Sequence, residues 1–118
     1  MSLEFTHKPN YFMHAQSIIH YISRHVEKQP HQNPAIFNLS DIYDLFRQDL
    51  ASASTNLDGI MNIADEYKIE TINGDRKIIQ SYNIDAKANT LSIEFDVDAL
   101  QSLANGKTPL APDASIQG

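Results

Sequence analysis

Five histidines fall within the first 31 residues, at His7, His14, His20, His25 and His31, and a cluster of that density raises the question of a metal site. Two helical ligands share one ion only when three or four residues separate them. His14, His20 and His25 are spaced by six and five. His14 and His25 share a side, but eleven residues along a helix is about 16 Å, too far for a single ion. His14, Tyr21 and His25 border an apolar arc instead, where a polar-tipped side chain keeps its tip near water. The chain has no cysteine, which excludes disulfides, zinc-thiolate sites and thiol nucleophiles. Serines and histidines are present, but no Gly-x-Ser-x-Gly elbow joins them. Glycine occurs only at 59, 74, 106 and 118, so no phosphate-cradling loop is encoded. The carboxylate pairs Asp65-Glu66 and Asp96/Asp98 read as a solvated helix end and a helix cap. No catalytic residue, metal ligand or cofactor is expected from these patterns.

Charge is distributed unevenly. The net charge of −6 arises wholly after residue 47. Up to that point Lys8, Arg24, Lys28 and Arg47 balance Glu4, Glu27, Asp41 and Asp44. An acidic chain is repelled by phosphate backbones unless its cations cluster. The one grouping of note is Arg76 and Lys77 with Lys87, at or near two hairpin turns, where they could touch DNA phosphates. Exposed cations that keep edge strands soluble are the alternative account. No apolar stretch approaches the ~20 residues that span a bilayer, and the N-terminus lacks the basic and apolar regions of a signal peptide. The expectation is a cytoplasmic protein with no membrane partner.

The elements that would carry these residues follow from periodicity. Residues 11–28 read as a helix, with Tyr11, Phe12, Ala15, Ile18, Ile19, Ile22 and Val26 on one arc, Asn10 as N-cap and Pro30 as terminator. Ala35 to Leu39 is β-prone. Ser40 or Asn38 caps a second helix bearing Ile42, Leu45, Phe46 and Leu50. Residues 51–55 read as a turn into a third helix with Leu57, Ile60, Met61, Ala64 and Tyr67 inward. Gly59 weakens that helix by about 1 kcal/mol relative to Ala. Lys68 to Ile72 is a strand, and Asn73-Gly74 suits a type I′ hairpin turn, in which both central residues need positive φ.

Arg76 to Ile84 follows as one strand, with Ile78, Tyr82 and Ile84 on one face and Ile79 on the other. Leu91, Ile93, Phe95 and Val97 alternate with polar residues as a half-buried antiparallel strand. Asp96 caps a last short helix with Leu100 and Leu103, ended by Asn105-Gly106. The fold class is α+β: helix, strand, helix and helix, then an antiparallel β-wing and a short C-terminal helix. The domain is expected over residues 1–106, and residues 107–118 as a flexible tail.

That order is the outline of a winged helix. Through "FNLSDIYDLF" entering the second helix and "IIQSYNIDAKANTLSIEFDVDALQSL" as a long hairpin running into a short helix, the chain resembles the N-terminal winged-helix domain of plasmid replication initiators over residues 11–104. In that family the first of two such domains mainly dimerises and the second reads DNA. The resemblance therefore implies a non-enzymatic dimerisation or protein-interaction module of a replication or regulatory protein, as a homodimer or with a partner protein.

The residues agree with a version that does not read DNA. From Gln48 to Tyr67 there is no basic residue, whereas Asp49, Asp58, Asp65 and Glu66 are present. Asn56 and Asn62 could address adenine, but without cationic help. Ile79 and Tyr82 are the expected interface residues, since one face of their strand needs cover. Weak DNA contact through Arg76, Lys77 and Lys87 is the alternative. A small enzyme or ligand-binding protein, with a site assembled from scattered residues, is another.

Overall fold

The computed structural model describes residues 7–45 and 50–112, with side chains from residue 12 to 45 and from 57 to 112. Four helices and two antiparallel sheets make it an α+β protein over these residues. The first helix, α1 (His7–Lys28), begins earlier than expected, so Asn10 lies inside it rather than at its cap. Pro9 is accommodated in the first turn, where a backbone N–H has no helical partner. Its buried stripe is Ala15, Ile18, Ile19, Ile22 and Val26, the arc read from the sequence, while Phe12 is 41 % exposed.

Strand β1 (Ala35–Asn38) buries Ala35 and Phe37 and turns Ile36 outward. Helix α2 (Leu39–Asp44) follows directly, with Asn38 at the N-cap position. Helix α3 (Leu50–Ala64) already includes residues 51–55, correcting the expected turn there. Alanine is the strongest helix former and serine is only mildly unfavourable, so the run Ala51 to Thr55 suits a helix as readily as a turn. The expected apolar position Phe46 lies outside the described residues.

The β region departs most from the expectation. Strand β2 (Lys68–Thr71) pairs with β3 (Gly74–Lys77), and these two form a sheet of their own. The hairpin turn is Ile72-Asn73, not a type I′ turn at Asn73-Gly74. Asn73 does not take positive φ, and only Gly74, at φ 97, does so here. Thr71 organises the turn: its hydroxyl donates to the Gly74 carbonyl (2.6 Å) and accepts from the Asn73 N–H (3.0 Å).

The single strand expected over 76–84 is broken at Ile78. Strand β4 (Ile79–Asp85) belongs to a second sheet, ordered β1-β5-β4, in which β5 (Thr90–Phe95) is central. A bulge lies between Ile79 and Ser81, and it shifts the phase of the alternation. Ile79 therefore stands opposite Phe95, on the same side as Tyr82 opposite Ile93 and Ile84 opposite Leu91. The expectation that Ile79 lies on the far face from Tyr82 and Ile84 is corrected. Ile79 is 1 % exposed within its own chain, so it is a core residue and has no surface to offer a partner.

Leu91, Ile93 and Phe95 point into the core as read from their alternation. Val97, expected to continue that inward series, is 71 % exposed because the last helix, α4 (Val97–Ala104), has already begun. Asp96 caps α4, its carboxylate accepting from the Ala99 N–H at 3.0 Å. Gly106, at φ 83, ends the helix region.

The expected loose tail is also corrected over residues 107–112. Leu110 forms an antiparallel bridge with Lys68: the Leu110 N–H donates to the Lys68 carbonyl (2.7 Å) and the Lys68 N–H donates back (3.0 Å). Residues 113–118 lie outside the described part. No described helix is long and apolar enough to cross a membrane.

Candidate functional site

Of the residues singled out from the sequence, Tyr82, Arg76 and Lys77 meet acidic groups at α3 and the start of α4. Leu57, Ile60, Met61 and Ala64 turn one face of α3 into the core. That leaves Asp58 and Asn62, one turn apart, on a shared outer side. Strand β4 runs alongside and projects Tyr82 to them: its hydroxyl lies 3.2 Å from Asp58 Oδ1 and 3.1 Å from Asn62 Oδ1. The phenol is held above its ordinary value, first by burial, then by the Asp58 charge and the bond to it, then by Asp65. Tyr82 is half-buried and already hydrogen-bonded within the chain. Asn62, the described candidate for reading adenine, is occupied by the same contact.

The cations are likewise engaged. Lys77 Nζ sits 3.0 Å from Asp65 Oδ2, at the C-terminal end of α3. Arg76 lies between Asp96 (3.6 Å) and Asp98 (3.5 Å) at the start of α4. The amide of Asn73 adds a 2.7 Å bond to Asp98. Such exposed pairs contribute little stability, but the paired carboxylates offset the positive field that a phosphate would feel. Lys87 is exposed in the β4–β5 turn and has no ion-pair partner among the described residues. It belongs to the other sheet, so the fold does not gather the three cations on one wing. That turn docks onto α2: Asn89 (φ 61) donates through its amide to Asn38 Oδ1 (3.2 Å) and Ser40 Oγ (3.3 Å). The Asn38 side chain is thereby committed to Asn89 and makes no capping bond of its own.

The histidines are dispersed. His20 and His31 are exposed, and His14 is half-buried. His25 stacks edge-on against Phe37 at 4.9 Å between ring centres, with Nε2 2.6 Å from Gln32 Oε1. Among the described residues no three His, Asp or Glu side chains assemble at metal-binding distance.

A feature missed in the sequence is a groove of about 470 Å³ between the outer side of α1 and residues 106–111. Tyr67, Arg24, Lys107 and His20 are among its lining residues. The spacing of Pro109 and Pro112 after Gly106 was the available signal, since prolines favour an extended segment that can lie along a surface. No family model, curated protein or solved structure matches this chain.

Proposed function

We propose that this chain is a winged-helix domain, elaborated by the β2–β3 hairpin, that acts as a self-association module rather than as a reader of DNA. Three features support the fold reading. In the chain β1 lies between the first and second of three helices, the sheet order is β1-β5-β4, and the β4–β5 turn takes the chain position of a wing. The hairpin is then an insertion between the third helix and the second strand of the sheet. The domain would serve a replication or regulatory protein of the plasmid or phage type, as the resemblance in its sequence implies.

The observation that carries the association reading is the outer edge of β4. This edge pairs with no strand among the described residues. From Ile79 to Asp85 the strand contains no lysine, arginine or proline, and its one charge is the terminal Asp85. Edge strands are usually blunted by cations, prolines or short length, because unpaired N–H and C=O groups recruit another strand. The bulge is confined to the start of the strand, and beyond it residues 81–85 keep regular pairing with β5. The opposite edge, β1, has four residues and is flanked by Pro34. A second copy added antiparallel at β4 gives an isologous pair about a two-fold axis. The paired state of Arg76 and Lys77, and the acidic side of α3, disfavour the DNA alternative.

Sedimentation of the full chain at micromolar concentration tests this. A dimer is expected. The double variant Ser81→Lys/Asn83→Lys alters two exposed side chains on this edge and should be a folded monomer. A strict monomer for the parent chain would remove the reading. Steeply salt-dependent binding to random duplex DNA, lost in Lys87→Ala, would favour the alternative.

A further inference from the structure

The groove between α1 and the segment 106–111 lies apart from the β4 edge, and its chemistry is not that of a packing fault. Arg24 from α1 and Lys107 from the segment each contribute a cation from opposite walls, with His20 beside them and Glu27 as the only carboxylate in the lining. Arg24 has no ion-pair partner among the described residues. Lys107 has only a 3.6 Å contact with Glu70, both side chains at least half exposed, a pairing that solvent screens and an incoming anion can displace.

Tyr67 is the decisive residue. It is only 6 % exposed, yet it lines the groove, and its hydroxyl has no hydrogen-bond partner among the described residues. The hydroxyl is the accessible tip of an otherwise buried ring, so it meets solvent in the groove and is free to donate to a ligand there. Here that donor opens onto a cavity flanked by two cations. Ile19, Pro109 and Ala111 supply an apolar wall. In an acidic chain, this concentration of donors and cations is a local reversal of sign.

We infer that this groove binds a small organic anion, its carboxylate or phosphate held by Arg24, Lys107 and the Tyr67 hydroxyl, and its apolar body resting on Ile19 and Pro109. The volume falls within the range of about 300–1,000 Å³ typical of small-molecule sites. The fold builds the site through the Leu110–Lys68 bridge, which holds the segment against the domain next to Tyr67.

The test is an NMR titration of the full chain with benzoate and, separately, phenyl phosphate. At least one probe should give saturable shifts at the amides of residues 20–24 and 106–111. A preference for one identifies the head group as carboxylate or phosphate, and either result supports the site. Arg24→Gln should weaken binding by about tenfold or more, the worth of a hydrogen bond to a charged group. Tyr67→Phe keeps the ring and removes only the hydroxyl, and it should weaken binding severalfold while preserving the fold. Arg76→Gln, on the far hairpin, should leave the affinity unchanged. Absence of saturable shifts with both probes, or shifts that Arg24→Gln and Tyr67→Phe leave intact, would overturn the inference.

Discussion

Asn33 grips the backbone of Phe95 from both sides, its amide donating to the Phe95 carbonyl at 3.1 Å and its side-chain oxygen accepting from the Phe95 N–H at 2.9 Å. Ala35 is opposite Ile93 in the β1–β5 ladder, so Asn33 occupies the next paired position. Pro34 has no N–H, and the asparagine side chain completes the pairing that a strand would otherwise supply.

Asn33→Ala should accordingly cost about 1–3 kcal/mol, because it leaves two partly buried backbone groups of Phe95 unpaired. Chemical denaturation would measure it. Asn33→Asp retains the acceptor and loses the donor, so it should remain destabilised relative to the parent.

Phe95→Ala should cost about 3–5 kcal/mol, since Phe95 is 1 % exposed at the centre of the sheet. Val97→Ala, two residues on, should change stability by less than about 0.5 kcal/mol because Val97 is on the surface. A denaturation midpoint that moves equally for both would contradict the start of α4 at Val97.

These two residues also mark where the sequence was readable. Strict alternation located Leu91, Ile93 and Phe95 in the core, and helical spacing did the same for Ile18, Ile22 and Val26. The Asp96 cap was legible because a carboxylate before a short apolar helix has one obvious use. Ile79 was not legible. A bulge inserts one residue, and nothing in "IIQSY" announces which residue is inserted. The hairpin tip was misread because Gly74 meets the need for positive φ after the turn rather than within it. The candidate groove was harder to read: Pro109 and Pro112 hint at an extended segment, but its floor, Tyr67, and its rim, Lys107, meet through a backbone bridge at Leu110 that has no side-chain signature.

That bridge alters the expectation for the C-terminal segment. Truncation after Gly106 should lower stability by about 2–4 kcal/mol, from three lost backbone hydrogen bonds, two at the Leu110–Lys68 bridge and one from the Lys107 N–H to the Ser102 carbonyl. The melting temperature should fall by several degrees, where a detached tail would cost only one or two. Thermal unfolding followed by circular dichroism distinguishes the outcomes.

Alkaline pH should weaken the fold through its phenols. Tyr21, Tyr67 and Tyr82 are each raised above 10.0, all three first by burial, with the charge of Asp41 adding at Tyr21 and that of Asp58 at Tyr82. A raised folded value means that the neutral form is favoured on folding. This stabilisation is complete below about pH 10 and is lost as the pH climbs through the raised values. Denaturation midpoints between pH 8 and 11 should therefore decline at the upper end, and Tyr82→Phe should flatten part of the decline.

Ile78 sits between the two sheets without belonging to either strand beside it. Its N–H donates to the Tyr67 carbonyl at 3.1 Å, and its carbonyl accepts from the Asp96 N–H at 3.1 Å. Its side chain is wholly buried. One residue thereby splices the end of the hairpin, the exit from α3 and the entry to α4 at a single backbone node. The two sheets share no strand, yet both are tied to this residue through its backbone. The two sheets are therefore expected to unfold together, and extra length should be accommodated at the exposed Ile72 tip far more cheaply than at this junction.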